Sequence, residues 1–148
     1  MIGQREFAQR RRRLMDMADE RSIIIIPSAI ERIRSKDTTY AYRQDSDFWY
    51  LTGFNEPEAV LVLVPGRKQG ACLLFLRERD ADKEAWDGPR LGPEGAVDVL
   101  KMDDAYPIGD LDDILPGLLE GRSRVYYHYG RDSDFDLSLM GWLNRVRA

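Results

Sequence analysis

The amino-acid sequence predicts an α/β domain in which a mixed β-sheet is flanked by helices. Two observations lead to this fold class. Short apolar runs rich in β-branched residues, typical of buried strands, alternate along the chain with longer segments that place apolar residues at helical spacing. Helix and strand signals mixed in this way favour layers of helices on a sheet. The 148 residues contain no repeat, linker or low-complexity segment, so we expect one domain over residues 1–148.

The first predicted element is a helix over Arg5–Ala18. Phe7, Leu14 and Ala18 share one helical face, and Arg10–Arg13 interrupts the apolar pattern. Four consecutive arginines are compatible with a nucleic-acid or anionic-surface patch. Because acidic residues stand beside them and the net charge is −4, we interpret them instead as a solvated helix face.

Three apolar runs predict the central strands. The four isoleucines of Ser22–Pro27 indicate a strand that is buried on both faces. Ala59–Val64 and Ala71–Leu76 are joined by a loop with proline and glycine, which predicts an antiparallel hairpin. Cys72 lies in the second of these two strands. No basic group adjoins it in sequence to activate the thiol, so we expect an inert, buried cysteine.

The stretch Tyr40–Pro65 contains three consecutive aromatic residues, Phe48–Tyr50. Side chains alternate faces along a strand, so three aromatics in a row fit a helix better. One of the residues Asp45–Asp47 can cap the first turn of that helix, and Gly53 can end it. We therefore predict a short aromatic helix that leads through a polar turn into the hairpin.

Residues Arg77–Gly95 carry many charges and then Trp86, which is followed by several glycines and prolines. We predict a loop there, in which the indole either contacts a ligand or another subunit or folds back on the core. Pro116 is expected to kink or shorten one of the later helices. The remaining patterns predict helices over Pro93–Leu100, Asp110–Leu119 and Asp132–Val146 and strands over Ala105–Pro107 and Arg124–Tyr129.

Composition narrows the classes of function. The net charge of −4 argues against a general nucleic-acid-binding protein. The single cysteine excludes an intrachain disulfide framework and fits a reducing, cytoplasmic location. No apolar run approaches the roughly 20 residues of a membrane span, and the N-terminal region lacks the apolar core of a secretory signal. We therefore expect no membrane partner and no secretion.

The reactive and metal-binding residue types in the sequence form no recognisable active-site motif. Asp132–Asp136 copies the start of a calcium loop, but Leu137 and Leu143 stand where that loop needs glycine and glutamate. Capping of the last helix explains these acidic residues better. His128, the sole histidine, is interpreted as a structural residue of a strand. No nucleophile elbow, phosphate loop or dinucleotide turn is present, so we expect no catalytic residue, metal site or cofactor in this chain.

Four segments of the chain resemble the N-terminal domain of Xaa-Pro aminopeptidases, the aminopeptidase P family, and more widely that of creatinase and prolidase. The segments are EFAQRRRRL, YRQDSDFWYLTGFNEPEAVLVLVP, EAWDGPRLGPEGA and VYYHYG. The resemblance implies a creatinase-type, ribonuclease H-like fold. It also implies a following catalytic domain in which carboxylates and a histidine hold two metal ions, usually manganese, and a metal-activated water cleaves Xaa–Pro peptides. Because the chain ends before any such ligand motif, we expect an inactive N-terminal part of such an enzyme.

The same resemblance implies roles for two residues. In the family this domain supports oligomer assembly and lends residues to a neighbouring subunit's active site. We therefore expect a homo-oligomer whose partners are its own catalytic domain and neighbouring subunits. Trp86 matches the family tryptophan that walls the substrate pocket in trans, and Asp37 is a second candidate, for contact with the substrate's amino end. Asp87 and Pro89 depart from the family pattern, so the resemblance does not predict the backbone conformation around Trp86.

Two other functions stay open from the sequence alone. A stand-alone module of the same fold would recognise peptides or a partner protein. An independent hydrolase would need pairs of carboxylates that no motif reveals.

Overall fold

The computed structural model describes residues 2–31 and 42–147, and within these ranges five strands form one sheet with helices on both faces. The strand Val60–Leu63 is antiparallel to its neighbours Ser22–Pro27 and Cys72–Leu76. Ser22–Pro27 is parallel to Arg124–Tyr127, and Cys72–Leu76 is parallel to Asp104–Pro107. The predicted mixed sheet and the predicted hairpin are therefore confirmed. The strands are β1 (Ser22–Pro27), β2 (Val60–Leu63), β3 (Cys72–Leu76), β4 (Asp104–Pro107) and β5 (Arg124–Tyr127), in the spatial order β4-β3-β2-β1-β5.

The helices cover both faces of this sheet and account for most of the remaining described residues. No helix in the described ranges is both long and apolar enough to span a membrane. A 3-10 turn, Ile108–Asp110, leads into the fifth helix. The helices are α1 (Gln4–Met17), α2 (Ser46–Thr52), α3 (Ala81–Asp87), α4 (Gly92–Asp98), α5 (Leu111–Leu119) and α6 (Ser133–Arg147).

Strand β1 shows how the sheet separates two apolar layers. Ile23 and Ile25 belong to one layer with side chains of α5 and α6, and Ile24 belongs to the other with side chains of α2 and α4. Successive strand residues point to opposite faces, so a continuous isoleucine run fits only a strand covered on both sides. The prediction of a strand buried on both faces is confirmed.

Arg11 corrects the interpretation of the arginine run as a solvated face. Its side chain is only 1% exposed. The guanidinium donates to the carbonyl oxygens of Leu51 at 2.7 Å and Leu100 at 3.2 Å, near the ends of α2 and α4. The last carbonyls of a helix lack partners inside the helix, and a guanidinium satisfies them while it is withdrawn from water. Arg11 therefore ties α1 to the two helices beside it.

The segment around Trp86 differs most from its prediction. The sequence predicted a loop, but residues Ala81–Asp87 form α3, and the loop begins only at Gly88. Asp80 caps the helix by accepting from the backbone N–H of Lys83 at 3.1 Å. Gly88 ends it with φ +96°, a backbone conformation that glycine adopts most readily. The glycines and prolines after Trp86 thus mark the end of a helix.

One further boundary shifts, and the early helix end expected at Pro116 does not occur. Strand β5 ends at Tyr127, so His128 follows the strand and is exposed, contrary to the prediction of a structural residue inside it. Helix α5 continues through Pro116 to Leu119. Proline lacks the N–H that would bond the carbonyl oxygen four residues earlier, at Asp112. That oxygen instead accepts from Arg145 at 3.3 Å, which offsets the missing helical bond.

Candidate functional site

Trp86 is the most exposed tryptophan of the chain, with 90% of its surface accessible. An indole buries a large apolar area when it meets a partner, and water is its least favourable neighbour. All seven residues of α3 keep part of their surface exposed, so the helix projects from the body of the domain. Among the described residues, none covers most of the Trp86 ring, so the ring is accessible to a binding partner.

The Glu84 carboxylate ties both ends of α3 to each other. One oxygen accepts from the backbone N–H of Asp80 at 2.7 Å, at the start of the helix. The other accepts from the backbone N–H of Arg90 at 2.8 Å, beyond its end. The Arg79 Nε donates to both oxygens, at 3.0 and 3.2 Å. The N–H groups of Arg90 and Asp80 lower the pKa of Glu84 from its ordinary 4.5 to about 2, because they stabilise the charged form.

A second carboxylate, that of Glu56, joins this segment to the body of the domain. It accepts from the backbone N–H of Leu91 at 2.9 Å. Its other oxygen accepts from the Arg77 guanidinium at 3.3 Å, and both side chains are mostly buried. Glu56 lies in the connection between α2 and β2, so the chain that follows α3 is bonded to the segment that leads into the sheet.

Sequence reasoning missed Glu84 and Glu56. A weak signal existed for Glu84, because a carboxylate one turn after the helix cap Asp80 can reach back to the cap's backbone N–H, although it stands one position later than the glutamate of a capping box. No local pattern indicates that Glu56 reaches Leu91, which lies 35 positions further along the chain. That contact depends on tertiary packing.

The exposed aromatic residues of α2 form a second surface. Trp49 and Tyr50 are exposed by 45% and 52%. The Arg10 guanidinium lies 4.2 Å from the centroid of the Tyr50 ring and donates to the Tyr50 carbonyl oxygen at 3.0 Å. Trp49 packs edge-on against Phe7 with ring centroids 6.2 Å apart. These aromatics are fastened to α1, unlike Trp86.

Asp37, the second predicted contact residue, lies outside the described residues. Ile30 and Tyr42, on the two sides of the segment that contains it, line an open groove of about 1490 Å³. His128 and Arg131 also line this groove. Among the described residues its walls come from α1, β1, α2, β5 and the turn before α6, and α3 contributes none of them.

The other residues considered as candidates for chemistry are explained by their place in the fold. Burial raises the pKa of the Cys72 thiol, which favours its uncharged form, and the nearby Arg11 only partly opposes this; the residue is half-buried, whereas full burial was expected. Asp132 accepts from the backbone N–H of Phe135 at 3.1 Å, as expected of a cap of α6. Within residues 2–31 and 42–147, no group of three or more His, Cys, Asp or Glu side chains converges as a metal site would require.

Comparison with known proteins assigns the domain to a family. The model of the aminopeptidase P N-terminal domain matches residues 7–127. A curated relative, the Xaa-Pro aminopeptidase of Haemophilus influenzae, is 41% identical over 126 residues, which are 85% of this chain and 29% of that protein.

Solved structures agree with this assignment. The structure of Pseudomonas aeruginosa aminopeptidase PepP is 55% identical, with a TM-score of 0.95 over 99% of this chain and 33% of its own. Escherichia coli aminopeptidase P, solved as a variant with substrate and as a zinc-substituted form with product, is 40% identical with a TM-score of 0.93 in both, over 99% of this chain and 33% of its own. This chain thus spans about a third of the length of the relatives it matches. The chain belongs to the aminopeptidase P N-terminal domain family.

Proposed function

We propose that this chain is the non-catalytic N-terminal domain of a metal-dependent Xaa-Pro aminopeptidase, and that it presents Trp86 to the substrate pocket of a neighbouring subunit. The observation that carries the proposal is the 90% exposed indole on a helix whose following segment is bonded to Glu56, in a member of this family. A proline ring is flat-sided and apolar, and the face of an indole buries it well. Asp37 is proposed as a second contact, to the amino end of the peptide.

In this proposal, the reaction centre lies outside the N-terminal domain. Catalysis is assigned to a following domain that holds two manganese ions. The zinc-substituted Escherichia coli structure supports metal dependence in a relative, and the identity of the metal here is part of the proposal. When bound, such a metal pair generates a nucleophilic water and stabilises the developing charge. This chain would restrict the entrance to that centre and favour short peptides.

The proposed partners are a catalytic domain and further copies of the same subunit, in a cytoplasmic homo-oligomer. The exposed aromatic residues support this, since tryptophan, tyrosine and arginine are enriched where protein surfaces meet. Trp86, Trp49 and Tyr50 lie on two separate helices, α3 and α2, so they provide at least two surfaces for contact.

The test is Trp86→Ala in the full-length aminopeptidase, assayed with Xaa-Pro peptides of different lengths. We expect kcat/KM to fall about tenfold, which corresponds to roughly 1.4 kcal/mol of lost contact. Trp86→Phe keeps an aromatic face and should retain most of the activity. Unchanged kinetics with both short and long peptides would refute the role assigned to Trp86.

A further inference from the structure

We infer that Glu84 is a positioning residue, whose two carboxylate oxygens fix α3 and thereby set where the Trp86 indole meets the substrate. The inference deepens the proposed function and rests on it. It concerns a residue that touches neither the peptide nor a metal and acts only through its neighbour on the helix.

The first step is that apolar packing does not hold α3 in place. All seven of its residues keep part of their surface exposed. A helix of this length is marginal in water without a buried face. Polar bonds to the segments on either side of it must therefore fix its position, and those bonds decide where Trp86 projects.

The second step is that Glu84 supplies the bonds at both ends of the helix. The two backbone N–H groups it accepts from, those of Asp80 and Arg90, lie ten positions apart in the chain and on either side of α3. They bond to different oxygens of one carboxylate. An amide side chain has a single acceptor oxygen and would turn its NH₂ group toward one of these donors. The two bonds thus require a carboxylate, because an amide side chain of the same size cannot accept both of them.

The third step is the geometry of the helix. Residues two positions apart lie about 200° apart around a helix of 3.6 residues per turn. Glu84 therefore turns inward when Trp86 turns outward. In agreement, the Glu84 side chain is 11% exposed, and Trp86 as a whole residue is 90% exposed. Holding Glu84 in place fixes the direction of the indole.

Kinetics of Glu84→Gln in the full-length aminopeptidase test the inference. We expect kcat/KM for Xaa-Pro peptides to fall about tenfold, since small displacements of a contact group have effects of this order or larger. The fall should appear in the same parameter, KM or kcat, that Trp86→Ala changes. Glu78→Gln is the matched control, because this exposed glutamate lies in the same segment, and it should leave the kinetics unchanged.

A double-mutant cycle shows whether Glu84 acts through Trp86. In a Trp86→Ala background, Glu84→Gln should have little further effect, because the indole it positions is gone. If the two effects add in full, or if Glu84→Gln behaves like the wild type while Trp86→Ala does not, the positioning role is wrong and the proposed function of Trp86 stands.

Fluorine NMR of this domain, labelled with fluorotryptophan, gives an answer that is independent of activity. Trp86→Phe assigns the Trp86 resonance, and the buried Trp142 serves as the internal reference. We expect Glu84→Gln to narrow the Trp86 line, because the helix that carries the exposed indole becomes more mobile, while the Trp142 line is unchanged. If Trp86→Ala leaves kinetics untouched but this change is seen, the proposed function fails and the positioning of the indole stands. An unchanged Trp86 resonance overturns the inference.

Discussion

Helices α2 and α3 have the same length and local signals, yet they are held to the domain by different forces. Each has seven residues and contains one tryptophan. Each begins with an aspartate that accepts from the backbone N–H three residues later, Asp45 at 3.0 Å and Asp80 at 3.1 Å. Each is followed by a glycine with positive φ, Gly53 or Gly88.

The difference lies in what the two helices bury. Helix α2 buries Phe48, Leu51 and Thr52 in the core, and its tryptophan packs on α1. Helix α3 keeps all its residues at least partly exposed and is fixed by the carboxylates of Glu84 and Glu56. Apolar burial makes α2 part of the folding unit, whereas directional bonds hold α3 as a projecting element. Three predictions sharpen this contrast.

The largest expected effect is that of Phe48→Ala in α2. Phe48 is fully buried, so truncation leaves a cavity and should lower the free energy of unfolding by about 3–5 kcal/mol. Trp86→Ala in α3 should change it by less than about 0.5 kcal/mol, because the indole is exposed. Urea denaturation of the chain measures both. Similar losses for the two variants would contradict the contrast.

An intermediate effect is expected on removing the helix caps. Asp45→Ala should lower the free energy of unfolding by about 1–2 kcal/mol, because α2 unfolds only with the core. Asp80→Ala should leave it within about 0.5 kcal/mol and instead speed hydrogen exchange locally in α3. Asp45→Asn, which keeps an acceptor oxygen, is the control. A global loss from Asp80→Ala as large as that from Asp45→Ala would show that α3 belongs to the same cooperative unit.

The smallest expected effect is a pH dependence of the stability of α3 alone. The pKa of Glu84 is lowered to about 2 in the fold, from 4.5 in the unfolded chain. A depressed pKa means that its stabilisation is present above pH 4.5 and is lost as the pH falls toward 2. The carboxyl carbon of Glu84 should therefore titrate in NMR with a midpoint near pH 2, with α2 unaffected by this step. A midpoint near 4.5 would mean that the bonds to Asp80 and Arg90 do not persist in solution.

The sequence predicted α2 well because its determinants are close together. The cap at Asp45, the aromatic run and the stop at Gly53 lie within nine residues, and each has a local physical reason to act as it does. The five strands were also identified, since apolar runs and turn residues mark them.

The candidate site was harder to predict because long-range contacts determine it. The sequence left open whether Trp86 contacts a partner or folds back on the core, and the structure shows the ring exposed. Its segment was predicted as a loop, because the glycines and prolines after it outweighed the weaker capping signal at Asp80. Arg11 was predicted to be solvated because sequence alone does not show that the carbonyls of Leu51 and Leu100 converge on it. Both errors concern partners that only the folded chain brings together.

The buried Arg11 also determines how this domain can be trimmed. Removal of the first helix would leave the carbonyl oxygens of Leu51 and Leu100 without their donor. Each buried oxygen left without a donor lowers the free energy of unfolding by about 1–3 kcal/mol. The apolar layer against which α1 packs would also become exposed on that side. A shortened version starting at β1 is therefore expected to express poorly and aggregate. Purification tags and fusion partners belong before Gly3, where the chain is exposed and the arginine tether stays intact.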